Sequence, residues 1–170
     1  FKQKTAYEIR NCDWSSDVCS SDLSRGCDFL EVWGGVGRTS KAVREQGGTA
    51  LVVGLAWGHD LGLARDRARL EDLLRLIKPR HLFMAFPCTA FCCWVRLNRA
   101  QGCDLEARQR EGRRHLKTTL SAARLQQTLG GDVTLENPLT SLAWREPAFK
   151  SELERAPHGI QLASTSVPPV

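Results

Sequence analysis

No stretch of the 170 residues approaches the roughly 18 consecutive apolar residues of a membrane-spanning helix. Glycine (14) and proline (7) stay near average usage, so integral-membrane, collagen-like and low-complexity readings are excluded. There is no internal repeat, and no linker divides residues 24–155. What is present, 42% hydrophobic and 25% charged residues, is the make-up of one globular domain with one core.

The first 23 residues, FKQKTAYEIRNCDWSSDVCSSDL, resemble the translation of a sequencing-library adapter: Phe1 to Glu8 and Asp13 to Leu23 match its two fixed parts and Ile9 to Cys12 the index between them. They are expected to be non-biological and disordered, and no function is rested on them. Without them 21 basic and 15 acidic side chains remain, a formal charge of +6, and 17 of the cations are arginine. That bias suits bidentate phosphate contacts but favours a polyanion only weakly.

Five cysteines are left: Cys27, Cys88, Cys92, Cys93 and Cys103. An odd number with two adjacent is a poor disulfide framework, and no signal peptide is visible, so an intracellular, reducing compartment is expected. Zinc sites prefer paired short spacings, and there is no C-x-x-C here, so no metal is expected. The histidines, His59, His81, His115 and His158, show no ligand spacing either.

Apolar runs at 28–33, 49–53, 81–86 and 133–136 read as buried strands. Helical patterns lie between them over Arg38 to Gln46, Ala64 to Lys78 and about Leu105 to Leu129, closed by Gly47-Gly48, Pro79 and Gly130-Gly131. The alternation predicts an α/β fold: a parallel sheet with right-handed crossovers and helices on both faces. Ligands bind such sheets beyond the carboxyl ends of the strands.

Three motifs fall at those ends. Gly34-Gly35-Val36-Gly37 turns from a strand into a helix, letting backbone approach a ligand and offering free helix N–H groups. Ser40 stands where a dinucleotide fingerprint needs its third glycine. Pro87-Cys88 opens from a central strand, where a thiol can act as a nucleophile. Glu136-Asn137-Pro138 ends the next strand, placing a carboxylate suited to proton transfer on the same side of the sheet.

Phe29-Leu-Glu-Val-Trp-Gly-Gly-Val-Gly37, Pro87-Cys-Thr-Ala-Phe91 and Glu136-Asn-Pro138 together resemble the cofactor-loop, P-C and E-N motifs of the cytosine-5 DNA methyltransferases over about residues 28–145. The similarity is nearest to short, divergent phage- and transposon-borne members, in which a Trp such as Trp144 follows the E-N motif. It implies a Rossmann-like methyltransferase fold, C-terminally truncated: a partial catalytic domain at 24–155 and an irregular tail at 156–170. It also implies S-adenosylmethionine as cofactor, held by Trp33, Gly34, Gly35, Val36, Gly37, Trp57, Asp60 and Pro87, with Asp60 toward the adenine amino group. Trp57 could stack on the adenine, whereas Trp33 and Trp144 read first as packing residues. DNA is the implied partner, with the target cytosine flipped from its stack. Cys88 would attack carbon 6, Glu136 would act at ring nitrogen 3, and Arg96 and Arg99 would contact nucleic acid.

The chain also departs from that pattern. Val53-Gly54-Leu55-Ala56-Trp57 lacks the acid that usually holds the ribose hydroxyls, and Q-x-R-x-R and target-recognition elements are missing. Two alternatives follow: an inactive nucleic-acid-binding domain of a mobile-element polyprotein, and a cytosine-5 methyltransferase acting on RNA. Arg108, Arg110, Arg113, Arg114 and Lys117 on the long helix read as a solvated face interleaved with Glu106 and Glu111.

Overall fold

The computed structural model describes residues 26–92, 104–155 and 160–163, apart from the side chains of residues 153 and 163. The elements run β1 (Phe29–Val32), α1 (Arg38–Glu45), β2 (Ala50–Val53), α2 (Ala64–Ile77), β3 (His81–Met84), α3 (Leu105–Thr128), β4 (Asp132–Glu136), α4 (Pro147–Arg155) and β5 (Gln161–Ala163). Two 3-10 turns lie at Leu55–Trp57 and Leu142–Arg145. The strands form one all-parallel sheet in the order β2-β1-β3-β4-β5. This is an α/β architecture compatible with a Rossmann-like fold.

The β1 to β2 step moves one way along the sheet and every later step the other way. Right-handed crossovers then put α1 on one face and α2, α3 and α4 on the opposite one. Side chains follow that division. Leu30, Val32, Leu82, Met84, Val133 and Leu135, each at most 2% exposed, form the core face. Glu31 points the other way and meets α1. On that second face Phe29 stacks on His81 and Phe83, and the His81 ring nitrogen Nε2 lies 2.9 Å from the Thr134 hydroxyl.

The helices bury the faces that their periodicity predicts. Leu70, Leu74 and Ile77 of α2 and Leu116, Leu120 and Ala123 of α3 all enter the core. Lys78 in a left-handed conformation (φ 42°) and Pro79 stop α2, while the Asp104 carboxylate caps α3 by accepting the Ala107 amide at 2.9 Å. One expectation is corrected. The tail from 156 is not irregular throughout, because Gln161–Ala163 pairs with Thr134–Glu136 and satisfies one edge of β4. Among the described residues no helix is long and apolar enough to cross a membrane.

Candidate functional site

The direction of winding reverses between β1 and β3, so their carboxyl ends flank the switch point where parallel sheets hold ligands. Trp33 and the glycine turn continue β1 there, and Ala85 to Cys88 continue β3. Trp33 carries an unusual backbone for an aromatic residue, φ 59°, while its amide donates to Val53 O at 2.8 Å. Backbone strain of this kind, about 1–3 kcal/mol, persists where surrounding structure enforces it and clusters at functional sites.

The glycine turn differs in one respect from its expected chemistry. Its helix N–H groups are not all free, because the Ser40 amide donates to Glu31 Oε2 at 2.7 Å. Glu31 is only 3% exposed, and its side chain lies against the loop at the α1 N-terminus. Gly34 makes room for it, since a Cβ there would lie 2.6 Å from Glu31 Oε1. One of the helix N–H groups a phosphate would use is thus taken by a side-chain anion, which disfavours a phosphate there. Sequence reading missed Glu31 because its partner lies across a turn that no periodicity reports.

Trp57 lies over the same loop. It is 41% exposed rather than core, and its indole N–H donates to Gly35 O at 2.9 Å. Val36 is exposed at the loop tip, and Leu55, Ala56 and Trp57 form a 3-10 turn that carries no acid. Asp60 follows in a loop fixed from two sides. Its amide donates to buried Asp66 Oδ2 at 2.9 Å, and Arg67 Nη1 donates to Gly62 O at 2.7 Å. Asp60 Oδ1 itself accepts the Gly62 amide at 2.8 Å. Burial pushes the Asp66 carboxyl up, but hydrogen bonds from Arg65 and the Asp60 amide and the charges of Arg65 and Arg69 outweigh it, so Asp66 titrates below the usual range.

Cys88 and Glu136 are both half-buried, at the ends of neighbouring strands. Burial pushes the Cys88 thiol above its ordinary value, and negative charge at Cys92 and Glu136 pushes the same way. Asn137, fully buried, locks the two motifs together: its amide Nδ2 donates to Phe86 O at 2.8 Å. The loop after Cys88 closes as a turn, with the Phe91 amide on Cys88 O at 2.8 Å, and Phe91 O accepts the Leu142 amide at 2.8 Å. Trp144 packs edge-on against Phe86 and Phe149 and donates to Pro138 O, a structural role.

The structure thus brings Trp33, Gly34, Gly35, Val36, Gly37, Trp57, Asp60, Pro87, Cys88 and Glu136 to one end of the sheet. Arg96 and Arg99 lie outside the described residues, as do Cys93 and Cys103. Among the described residues no three His, Cys, Asp or Glu side chains are grouped to hold a metal ion. A groove of about 280 Å³ between α2 and α3, lined by Arg67, Glu71, Arg114 and Lys117 among others, contains none of the candidate residues. Compared with protein-family models, curated proteins and solved structures, the chain finds no match in any of the three.

Proposed function

We propose that this chain is the catalytic-domain portion of an S-adenosylmethionine-dependent enzyme that methylates carbon 5 of cytosine in DNA through a covalent adduct with Cys88. The observation that carries the proposal is a half-buried thiol and a half-buried carboxylate beyond the ends of adjacent strands, joined by the Asn137–Phe86 hydrogen bond, beside a glycine turn. A methyltransferase fold is the finer reading of the five-stranded sheet, supported by the three motifs and their order along it.

The loop also fits the cofactor by its charge. The buried Glu31 carboxylate complements a ligand bearing ammonium and sulfonium charge, whereas a pyrophosphate would be repelled. Trp33, the glycine turn, Trp57, Asp60 and Pro87 would hold it. When bound, S-adenosylmethionine supplies an electrophilic methyl group.

Cys88 enters the reaction as a thiol, the form toward which burial pushes it. Glu136 would take that proton and present it to ring nitrogen 3 as the sulfur–carbon 6 bond forms. The ring π pair then gathers at carbon 5, which becomes the nucleophile. Once carbon 5 carries the methyl group, its proton is lost to solvent, the sulfur–carbon 6 bond breaks, and the proton held at ring nitrogen 3 returns through Glu136 to the Cys88 sulfur, which restores the protein. Asn137 keeps thiol and carboxylate at a set separation through the Phe86 carbonyl. DNA enters as a flipped base, since these ring atoms cannot be reached within a duplex, and Arg96 and Arg99 are proposed phosphate contacts.

The test is trapping on 5-fluorocytosine-containing DNA with S-adenosylmethionine, since fluorine at carbon 5 blocks the final elimination. Wild type and Cys92→Ser should give a denaturant-stable adduct, and Cys88→Ser none. Equal loss from both substitutions would indicate a structural cysteine cluster, and no adduct from wild type would overturn the activity. The second reading, an inactive nucleic-acid-binding domain, is favoured by Leu55, Ala56 and Trp57 standing where the ribose-binding acid is expected. Competition between DNA and RNA oligonucleotides separates the two acceptors.

A further inference from the structure

Ten arginines and lysines lie on α2 and α3, and six of them are neutralised where they stand. Asp66 holds Arg65 at 2.9 Å and Arg69 at 3.6 Å, Glu71 and Asp72 hold Arg75, Glu106 holds Arg110, Glu146 holds Arg113, and Glu152 holds Arg124. Among the described residues no carboxylate stands at ion-pair distance from the other four, Arg67, Arg108, Arg114 and Lys117. Three of those four, Arg67, Arg114 and Lys117, line the groove of about 280 Å³ between the two helices. The uncompensated charge of the helix layer therefore converges on one concave, open surface.

The carboxylate in the groove lining does not balance them. Glu71 is engaged by Arg75 at 3.5 Å and by the Ser121 hydroxyl, also at 3.5 Å. Arg67 is half-buried and anchored, its Nη1 donating to Leu61 O at 3.2 Å and to Gly62 O at 2.7 Å. A guanidinium carries five N–H donors, so these two bonds do not use them up. Arg114 and Lys117 are exposed on α3, and their long side chains can close on a ligand. A fixed fork and two mobile cations suit a phosphate, which arginine binds in two-pronged fashion and lysine as a point charge.

We propose that the groove between α2 and α3 seats the phosphate backbone of a nucleic-acid strand, held by Arg67, Arg114 and Lys117. Exposed cations attract one free anion only weakly. A strand meets several of them at once and releases its condensed counterions, so the same side chains bind it far better. The carbonyls that anchor Arg67 belong to the loop that carries Asp60, which ties the groove to the end of the sheet where the candidate residues gather. The groove needs neither Cys88 nor a cofactor, so it stands apart from the methyltransferase reading.

The test is fluorescence anisotropy of a fluorescein-labelled DNA duplex titrated with the full chain across about 50 to 200 mM salt. Arg114→Gln with Lys117→Gln should weaken binding at least about tenfold and flatten the slope of log affinity against log salt by about 2. Lys117→Gln alone should flatten it by about 1, which decides the matter if the double variant is unfolded by circular dichroism. Lys41→Gln with Arg80→Gln removes the same charge from exposed ion pairs outside the groove and should stay within about twofold of wild type with its slope unchanged. Equal losses in the two double variants, unchanged binding in the groove variant, or no binding by wild type would overturn the groove. Displacement of the duplex by inorganic phosphate at matched ionic strength would make the ligand a free phosphate. Displacement by polyglutamate as readily as by unlabelled duplex would make it an acidic protein. Either result overturns the strand. Duplex binding through the groove without a Cys88 adduct on 5-fluorocytosine would keep this site and overturn the methyltransferase reading alone.

Discussion

Replacing Gly34 with alanine tests whether Glu31 holds the ligand loop together. The added Cβ would lie 2.4 Å from Glu31 Cγ, 2.5 Å from Cδ and 2.6 Å from Oε1, well inside the roughly 3.5 Å at which carbon atoms pack. To make room the carboxylate must shift from where it accepts the Ser40 amide. That move forfeits a charge-assisted hydrogen bond, about 1.5–3 kcal/mol. It also forfeits the attraction of a carboxylate for a helix N-terminus, about 0.3–1 kcal/mol. The expected loss is about 2–4 kcal/mol, read as a lower urea midpoint at unchanged slope. Gly35→Ala is the control: φ is 54° but nothing lies within 4 Å of its Cβ, so only left-handed strain of about 1–2 kcal/mol is added. In a double-mutant cycle, Gly34→Ala on a Glu31→Ala background should cost far less than on wild type, with a coupling of at least about 1 kcal/mol. Additive losses, or a Gly34→Ala protein within about 0.5 kcal/mol of wild type, would refute the reasoning.

Asn137→Ala removes the donor to Phe86 O and leaves that carbonyl unpaired in the interior, so it should cost about 1–3 kcal/mol in urea unfolding and slow adduct formation at Cys88. An unchanged rate at a reduced midpoint would confine Asn137 to stability. Acidification should destabilise the fold. Burial is the main cause that lowers His59, His81 and His115 from 6.5. Between their folded values and 6.5 the unfolded chain binds more protons, so stability rises with pH across that window and levels off above it. Urea midpoints at about pH 7.5 and about pH 5.5 check this, and a midpoint that rises on acidification would contradict it.

The scaffold was legible where burial repeats along the chain. Leu70, Leu74 and Ile77 recur at helical spacing, and the runs ending at Val53 and Glu136 are apolar enough to read as strands without knowing their neighbours. Motif order also placed Cys88 and Glu136 on adjacent strand ends. β5 escaped because Gln161-Leu162-Ala163 is too short to show a period and exists by completing the hydrogen bonding of β4. The helix from Pro147 had a usable signal, proline at its first position, but only nine residues to show it. Trp57 reads as core or as a ring platform, whereas its indole N–H ties down a carbonyl of the glycine loop. Glu31 and His115 were illegible for a different reason. Each meets its partner on another element, Glu31 the Ser40 amide across a turn and His115 the Trp33 ring edge-on, and such pairings leave no local trace.

The tie between Asn137 and Phe86 has a consequence for how this protein tolerates change. The acceptor is main chain, so every residue at position 86 except its geometry-breaking substitutes still offers it; only the apolar volume against Trp144, 6.1 Å away, constrains the choice. Position 137 has no such latitude. Aspartate would set oxygen against oxygen, and glutamine overshoots by one methylene. In a saturation library, position 86 should accept several large apolar residues while position 137 returns asparagine alone, so that one end of a single hydrogen bond drifts freely and the other is held.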